Sequence, residues 1–324
     1  MKILVTGGSG MVGSGFKELD SEHEFILVGS SDADLRDWNS AYALIYSHKP
    51  DAIIHLAAKV GGVKGNTDFV ADFYSDNILI NTNVLNVAAR LGVSKLVSLL
   101  STCIYPDSVT YPLTEDQIHL GPPHKSNFGY AYAKRMLHIH SNALRQQHGC
   151  NFVCAVPNNL YGPYDNFDLE NGHVIPAIIR KIYEAGLEDK TPVFWGSGRP
   201  LREFTYAPDI AKILLFLLEN YNDSKPINIG STSEHSIAQI VGMISSEIGY
   251  VGDSLWDSSK PEGQFKKPSS NKRLLDLGFS LFGILLIFPL LIFFTHSIFI
   301  PEFFIKLRLD RPYSRLPPVA NSPP

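Results

Sequence analysis

Short apolar runs alternate with amphipathic stretches through the first half of the chain. The runs end in polar or glycine-rich turns and lie at Ile3–Thr6, Phe25–Val28, Ala52–Leu56, Leu96–Leu100 and Phe152–Val156. Runs that are apolar on both faces are typical of strands in a parallel sheet that is covered on both sides. Between them, apolar residues recur at helical spacing over Leu79–Leu91 and Tyr130–Leu144. The pattern predicts an α/β fold built on a doubly wound parallel sheet.

Near Leu160 the chain becomes rich in proline, glycine and aromatic residues. This change predicts a smaller C-terminal α/β lobe on the ligand side of the sheet. Further on, Tyr206–Glu219 has the pattern of a helix and Pro226–Ile229 that of a strand. We therefore expect residues 1–160 to form the main domain, with 203–230 returning to it. Residues 161–202 and 231–279 are expected to form the substrate lobe.

The C-terminal region, residues 280–324, has a different texture. From Phe279 to Ile300 the chain is apolar and uncharged, which is long enough to span a bilayer. The segment from Arg308 to Pro324 is rich in proline and predicts disorder. The apolar run has three interpretations: an altered C-terminus such as the product of intron read-through, a membrane tail anchor, or a buried helix. We favour the first.

Composition excludes several other classes of protein. Of the 324 residues, 44% are hydrophobic and 19% charged, which suits a globular protein with a large core. A net charge of −4 gives no electrostatic reason to expect nucleic acid. Three cysteines are too few and too unevenly spaced for a disulfide framework or a zinc site. Because the N-terminus runs straight into a strand pattern, no signal peptide is predicted, and we expect a cytoplasmic protein.

Glycines follow the first predicted strand at three-residue intervals. In Gly7-Gly8-Ser9-Gly10-Met11-Val12-Gly13 they stand between a strand and a helical stretch. Glycine allows a tight turn there and lets a pyrophosphate approach the N–H groups of the helix N-terminus. The motif predicts a Rossmann-like dinucleotide-binding domain, with Gly7, Gly10, Met11 and Gly13 at the cofactor.

The end of the second predicted strand indicates which dinucleotide is bound. An acidic residue there would bind the ribose 2′-hydroxyl of NAD and repel a 2′-phosphate. Here Val28 is followed by Gly29-Ser30-Ser31, and the first carboxylate is Asp32. The neutral hydroxyls favour NADP(H). We expect Ser30 to contact the cofactor and name Arg36 as the nearest basic candidate for the 2′-phosphate.

Three further residues suggest oxidation or reduction of a carbonyl group. Tyr130 and Lys134 are four residues apart, which places them on one face of a helix. The lysine is expected to lower the pKa of the tyrosine and to contact the nicotinamide ribose, and the phenol exchanges a proton with the substrate oxygen. Ser101 lies just beyond the fourth predicted strand, where its hydroxyl can donate to the same oxygen.

These motifs, in this order, resemble the extended short-chain dehydrogenase/reductase superfamily. Longer segments are similar to the GDP-L-fucose synthase family within it, over residues 1–279. The segments begin at His55-Leu56-Ala57-Ala58-Lys59, Ser101-Thr102-Cys103-Ile104-Tyr105, Pro157-Asn158-Asn159-Leu160-Tyr161 and Gly172-His173-Val174-Ile175-Pro176. Enzymes of that family epimerise C3 and C5 of GDP-4-keto-6-deoxy-D-mannose and then reduce C4 with NADPH.

The resemblance implies roles for further residues. Cys103 and His173 are the expected acid and base of the epimerisation, since a thiol and an imidazole can both titrate near neutral pH. Arg202 is the expected ligand of the GDP pyrophosphate, and Lys266-Lys267 is placed near the nucleotide. The remaining candidates for substrate contacts are Asn159, Asn166, Lys181 and Trp195. The resemblance also implies a homodimer formed through helices of the dinucleotide domain.

Two alternative functions remain open at this stage. Other nucleotide-sugar epimerases, dehydratases and reductases share the scaffold, although the first two usually keep NAD bound. A variant with an altered C-terminus could also bind dinucleotide without turnover. Residues that would form a metal site are not predicted.

Overall fold

The structure is a computed structural model, and it describes residues 1–169, 172–260 and 264–279. These residues form eleven strands: β1 Lys2–Thr6, β2 Glu24–Val28, β3 Ala52–His55, β4 Lys95–Leu99, β5 Phe152–Pro157, β6 Asn159–Tyr161, β7 Val193–Trp195, β8 Leu201–Tyr206, β9 Ile227–Ile229, β10 Glu234–Ser236 and β11 Leu255–Asp257. They also form nine helices: α1 Met11–Ser14, α2 Trp38–His48, α3 Val63–Asp68, α4 Val70–Arg90, α5 Phe128–His148, α6 Val174–Glu188, α7 Ala207–Asn220, α8 Ile237–Ile248 and α9 Lys272–Asp276.

Six strands form one parallel sheet in the order β2-β1-β3-β4-β5-β9. Strands β3, β4 and β5 are buried along their whole length, because one hydrophobic cluster covers each face of the sheet. From β1 the chain adds β2 on one side and then crosses to β3 on the other. Ligands of such sheets bind at the carboxyl ends of the strands next to this reversal. The predicted doubly wound α/β fold is confirmed.

The first five predicted strands are present, each within one or two residues of its expected bounds. Helix α4 starts at Val70, well before the expected start at Leu79. Before Asn81, the buried side chains of α4 are only Phe73 and Asn77, so its first half lacks the apolar periodicity on which the prediction relied. Buried asparagines are tolerated because their amides are hydrogen-bonded, as Asn77 is to the Lys59 and Phe73 carbonyl oxygens.

A second cluster of elements packs beyond the carboxyl ends of the sheet. It contains a three-stranded sheet in the order β10-β8-β6, the pair β11-β7, and helices α6 and α8 around one hydrophobic core. We expected residues 203–230 to return to the main domain. Strand β8, which contains the first of these residues, instead belongs to the three-stranded sheet. It pairs with β6 and β10, whereas α7 and β9 do pack in the main domain. The other domain bounds stay predictions.

Close to its end, the described chain returns to the main domain. Phe279 packs edge-to-face against Phe216 of α7, with ring centroids 5.0 Å apart. The apolar segment and the proline-rich tail lie outside the described residues. Within the described ranges, no helix is both long and apolar enough to cross a membrane, and no cluster of histidine, cysteine and acidic side chains suits a metal ion.

Candidate active site

The turn between β1 and α1 is built around its glycines. Gly7 has a φ of 73°, in the left-handed region that favours glycine. A Cβ atom on Gly13 would lie 2.5 Å from both the Gly7 carbonyl oxygen and the Gly8 Cα atom. One on Gly7 would lie 2.8 Å from the Ala57 nitrogen, at the end of β3. Only glycine permits this close packing, so the turn forms a narrow shelf that fits a pyrophosphate.

A single large cavity of about 1440 Å³ extends from this turn to the second lobe. This exceeds the usual volume of a small-ligand site, and a dinucleotide and a nucleotide-sugar together require such a volume. Nearly all the predicted site residues line it: Gly7, Gly10, Met11, Gly13, Ser30, Arg36, Ser101, Cys103, Tyr130, Lys134, Asn159, His173, Lys181, Trp195 and Arg202. The structure thus brings together residues from both lobes.

Asn166 is the exception among the predicted substrate ligands. It is exposed and is absent from the residues that line the cavity. Its side-chain oxygen accepts a hydrogen bond of 3.0 Å from the Asp168 nitrogen instead. Asn166 therefore has a role in the shape of its loop, and the expectation that it contacts sugar hydroxyls gains no support from the geometry.

Arg36 lies at the rim of the cavity beyond β2, where two carboxylates hold it. Its guanidinium donates to both oxygens of Asp34, at 2.9 Å from Nε and 2.8 Å from Nη2. Asp76 of α4 lies 3.5 Å from Arg36 and 2.8 Å from the Lys59 amine. These contacts hold the pKa of Asp76 below its usual range. Ser30 lines the same rim, as predicted.

The tyrosine, serine and lysine meet at the carboxyl end of β4. The Ser101 hydroxyl is hydrogen-bonded to the Tyr130 phenol and also accepts from the Cys103 nitrogen at 3.3 Å. The Lys134 amine donates to the Leu99 carbonyl oxygen at 2.8 Å, and it lies 5.9 Å from the centre of the Tyr130 ring. Helix α5 presents both side chains to the cavity, in agreement with their four-residue spacing.

The predicted direction of the tyrosine pKa is wrong. Burial raises the pKa of Tyr130 above its ordinary value, and the hydrogen bond from Ser101 offsets this only in part. Burial also lowers the pKa of Lys134 to about 8. The lysine directs its proton to a backbone carbonyl oxygen, so the loss of hydration exceeds its influence on the phenol. Tyr130 consequently carries its proton at neutral pH.

A buried histidine is linked to helix α5 through a chain of hydrogen bonds. His55 ends β3 and is bonded to the Thr6 hydroxyl at 2.8 Å and to the Asn81 side-chain oxygen at 3.1 Å. The Asn81 amide in turn donates to the Ala133 carbonyl oxygen at 3.4 Å, which orients it. Burial and, second, the charge of Lys134 lower the pKa of His55 to about 3. His55 is therefore neutral and structural at physiological pH.

His173 and Cys103 line the same cavity from opposite lobes. Cys103 lies in a short 3₁₀ turn after β4, and His173 is the residue that precedes α6. The His173 Nδ1 atom is 3.2 Å from a carboxylate oxygen of Asp165. This hydrogen bond raises the pKa of His173 above its ordinary value. The imidazole is thus biased toward its proton-bearing form, which can act as an acid.

Aromatic and basic side chains line the far end of the cavity. The Lys181 amine lies 5.7 Å above the Trp195 ring centre and donates to the Val193 carbonyl oxygen at 2.9 Å. Lys260 lies over the same ring at 5.9 Å. Arg202 donates to the Leu201 carbonyl oxygen at 2.7 Å, and burial lowers its pKa. Several cations beside an exposed indole suit a purine nucleotide diphosphate.

Glu203 does not pair with Arg202, although it follows it in the chain. Its carboxylate points into the core and accepts from the Ser269 nitrogen at 3.0 Å and hydroxyl at 2.5 Å. The Asn158 amide approaches it at 3.4 Å.

Sequence reasoning missed two residues at this site. Asp165 was part of a motif but received no role, and Lys260 was not considered. Of the pair Lys266-Lys267, Lys267 lines the cavity, whereas Lys266 lies over the Tyr111 ring at 5.6 Å. The resemblance had placed the pair near the nucleotide, which the structure supports for Lys267. No local spacing could have singled out Asp165 or Lys260.

Comparison with known proteins shows the family of the chain. Residues 3–230 match the model of the NAD dependent epimerase/dehydratase family. The chain belongs to this family. A GDP-L-fucose synthase from Dictyostelium discoideum is 43% identical, over 85% of this chain and 88% of that protein. A GDP-L-colitose synthase from Yersinia pseudotuberculosis is 36% identical, over 86% of this chain and 92% of that protein.

One solved structure that is similar to this chain contains a bound cofactor. The GDP-L-fucose synthetase from Naegleria fowleri bound to NADP is 39% identical and superposes with a TM-score of 0.79. The match covers 85% of this chain and 87% of that one. The resemblance drawn from the motifs is therefore confirmed, and so is the class of enzyme.

Proposed function

We propose that this protein is a GDP-L-fucose synthase. In this proposal it epimerises C3 and C5 of GDP-4-keto-6-deoxy-D-mannose and then reduces the C4 ketone with NADPH. The observation that carries the proposal is the convergence of two chemical groups of residues on one cavity. Ser101, Tyr130 and Lys134 suit a carbonyl reduction, and Cys103 and His173 suit proton transfer at the carbons beside the carbonyl.

The reducing half follows from the geometry around Tyr130. When bound, NADPH supplies a hydride to the carbonyl carbon. Tyr130 gives its proton to the oxygen, and its raised pKa keeps that proton available at neutral pH. Ser101 is bonded to the phenol and can donate to the same oxygen, which orients the ketone. Lys134 is held by the Leu99 carbonyl oxygen beside the tyrosine, where it would contact the nicotinamide ribose of bound NADPH.

The epimerising half requires a base and an acid on opposite faces of the sugar. Cys103, in its thiolate form, takes the proton from the carbon beside the carbonyl and becomes the thiol, and the electron pair of the broken C–H bond forms the enolate. His173 returns a proton to the other face of the carbon and becomes neutral. Its hydrogen bond to Asp165 favours the protonated imidazole from which this step starts.

Cofactor choice and nucleotide binding have separate support. The end of β2 carries Ser30 where an NAD enzyme would carry a carboxylate, and Arg36 lies at the same rim. The similar Naegleria structure contains NADP. At the other end of the cavity, Lys181, Trp195 and Arg202 suit the GDP group.

We further propose a cytoplasmic homodimer that assembles through α4 and α5. These helices pack on each other and leave apolar side chains exposed, among them Leu79, Met136 and Ile139 at 46%, 42% and 43%. Exposed apolar side chains on adjacent helices are a common feature of protein interfaces. Sedimentation of the protein with Met136→Glu should show the monomer if this face forms the dimer.

The test of the function is oxidation of NADPH in the presence of GDP-4-keto-6-deoxy-D-mannose, followed by its absorbance. We expect turnover by the wild type and a decrease of about 10²–10⁴-fold in kcat for Tyr130→Phe, the usual contribution of a general acid. Tyr132→Phe is the matched control, because Tyr132 lies on the same helix beside Phe128 and is not a cavity residue. It should retain wild-type turnover.

Other outcomes distinguish the alternative functions. Conversion of the GDP-4-keto sugar with no net oxidation of NADPH or NADH, by a protein that keeps NAD bound, would favour an epimerase or dehydratase. Tight NADPH binding without turnover of any GDP-4-keto sugar would indicate a dinucleotide-binding protein. Equal loss in both tyrosine variants would refute the assignment of Tyr130 as the proton donor.

A further inference from the structure

The segment between β6 and α6 brings an aspartate and a histidine together. Asp165 and His173 are bonded through Oδ1 and Nδ1 at 3.2 Å. Their exposure differs: the Asp165 side chain is 5% exposed and that of His173 is 43% exposed, at the cavity. A buried carboxylate that holds one nitrogen of a more exposed imidazole leaves the other nitrogen, Nε2, to act on a ligand.

The backbone around Asp165 is held in one shape. Tyr164 has a left-handed φ of 63°, which costs a non-glycine residue energy and persists only where surrounding contacts impose it. The Lys17 amine lies over the Tyr164 ring at 5.2 Å. The Gly172 nitrogen donates to the Asp168 carbonyl oxygen at 2.9 Å, which closes the segment just before His173. The carboxylate therefore has a fixed position relative to the imidazole.

Apart from His173, the Asp165 carboxylate has few hydrogen-bond partners among the described residues. Oδ1 also accepts from the Asn166 nitrogen at 2.8 Å. Oδ2 is buried and has no hydrogen-bond partner among the described residues. A buried, incompletely paired carboxylate costs stability, and such groups occur where they serve a site. No described cation pairs with Asp165, and the imidazole is the titratable group bonded to it.

We propose that Asp165 is a positioning residue for His173: it fixes the ring through Nδ1, directs Nε2–H toward the sugar, and stabilises the imidazolium from which the proton is delivered. This inference rests on the proposed function, in which His173 is the acid of the epimerisation. The proton moves from Nε2 to the enolate carbon and the imidazole becomes neutral, while the Asp165 carboxylate keeps its hydrogen bond to Nδ1. Asp165 is not among the residues that line the cavity, so it acts through His173.

The dipole of helix α6 and the Asp165 carboxylate have opposite effects on the pKa of His173. It stands at the N-terminus of α6, where the helix dipole disfavours a positive imidazole. Asp165 is the ionised group that favours it and raises its pKa. Other titratable or charged groups line the same cavity, among them Cys103 after β4, Lys64 on α3, His124 before α5, Tyr130 and Lys134 on α5, Lys181 on α6, Arg202 on β8, Lys260 and Lys267. Removal of the Asp165 charge should therefore leave His173 neutral at lower pH.

The experiment compares Asp165→Asn with the wild type and with Asp168→Asn, an exposed aspartate of the same segment. Deuterium uptake from D₂O at C3 and C5 of GDP-4-keto-6-deoxy-D-mannose is followed without NADPH across pH. We expect the basic limb of the wild-type profile to move down by about one pH unit in Asp165→Asn, the size expected for loss of a paired charge. On the basic side of the profile, the exchange rate of Asp165→Asn should then be roughly tenfold lower than that of the wild type at the same pH. Asp168→Asn should keep the wild-type profile.

A second readout does not depend on activity. The pKa of His173 is measured by NMR titration of its ring in the full chain, in wild type and Asp165→Asn, with NADPH affinity as the check on folding. We expect a wild-type pKa above the ordinary histidine value and a decrease in the variant. If the wild-type His173 titrates at its ordinary value, or if Asp165→Asn leaves both the pKa and the exchange profile unchanged, the inference is refuted.

Failure of the proposed function gives a different result. If the wild type exchanges no hydrogen at C3 or C5 while His173 still titrates high and Asp165→Asn lowers it, the pairing stands and the epimerase is refuted. If Asp165→Asn does not fold, the wild-type titration alone decides whether Asp165 holds the imidazole in its charged form.

Discussion

The buried His55 makes the stability of the protein depend on pH in a way that can be calculated. The ring lies between the Thr6 hydroxyl and the Asn81 amide and is 1% exposed. Its pKa is lowered to about 3 in the folded protein, from the ordinary 6.5 that it recovers on unfolding. Between these values the unfolded chain binds more protons than the folded one. The free energy of unfolding therefore decreases as the pH falls through this window.

The magnitude follows from the two pKa values. At pH 7.5 the imidazole is neutral in both states and contributes almost nothing. A pH of 5 lies about 1.5 units below the pKa of His55 in the unfolded chain and still above its pKa in the folded protein. This difference corresponds to a loss of about 2 kcal/mol in the free energy of unfolding. His138, whose pKa burial lowers to about 4, acts in the same direction. The contribution of His55 must therefore be read from a variant rather than from the wild type alone.

Urea unfolding at pH 7.5 and pH 5, followed by circular dichroism, isolates this contribution. His55→Gln can still donate to Asn81 and cannot titrate. We expect its decrease in unfolding free energy between the two pH values to be about 2 kcal/mol smaller than that of the wild type. His148→Asn, at the exposed end of α5, is the control and should decrease as the wild type does. A decrease in His55→Gln as large as that of the wild type would refute the buried neutral histidine.

Two substitutions test the packing of the two lobes. Gly13→Ala places a methyl group 2.5 Å from the Gly7 and Gly8 backbone, so we expect the Kd for NADPH to rise about tenfold or more, as measured by fluorescence titration; an unchanged Kd would contradict the close turn. In Gly242→Ala the new methyl group meets nothing within 4 Å, so this control should bind NADPH normally. Ile182→Ala empties a fully buried position in the second lobe, and we expect unfolding free energy to decrease by about 2–5 kcal/mol with NADPH affinity retained. In the control Leu187→Ala, where the side chain is 57% exposed, a change below about 0.5 kcal/mol is expected, and an equal loss in both variants would contradict the packing.

The main sheet could be predicted because burial on both faces leaves an unbroken apolar signature. Strands β3, β4 and β5 have this property along their whole length. The second lobe has no such signal, since most of its strands contain three residues, and a repeat of period two cannot be recognised over so few positions. The first half of α4 was missed for a different reason: one of its two buried side chains is Asn77, whose amide donates to a backbone carbonyl oxygen.

The candidate site also has one part that the sequence predicts and another that it does not. The glycine turn, Ser101 and the Tyr130–Lys134 pair are short-range patterns attached to one strand end or one helix, so the sequence contains them in full. The Lys260–Trp195 contact depends on the pairing of β11 with β7, and the Asp165–His173 contact depends on the shape of one loop. The direction of the Tyr130 pKa was mispredicted because burial is a property of the folded chain.

The central claim is that one cavity epimerises and then reduces the same sugar. Its most direct test is to incubate the wild type with GDP-4-keto-6-deoxy-D-mannose and NADPH in D₂O and to identify the product by proton NMR. We predict GDP-L-fucose with deuterium at C3 and C5. A reduced GDP-6-deoxy sugar that keeps the original configuration and hydrogens at both carbons, or no reduced sugar at all, would contradict the account.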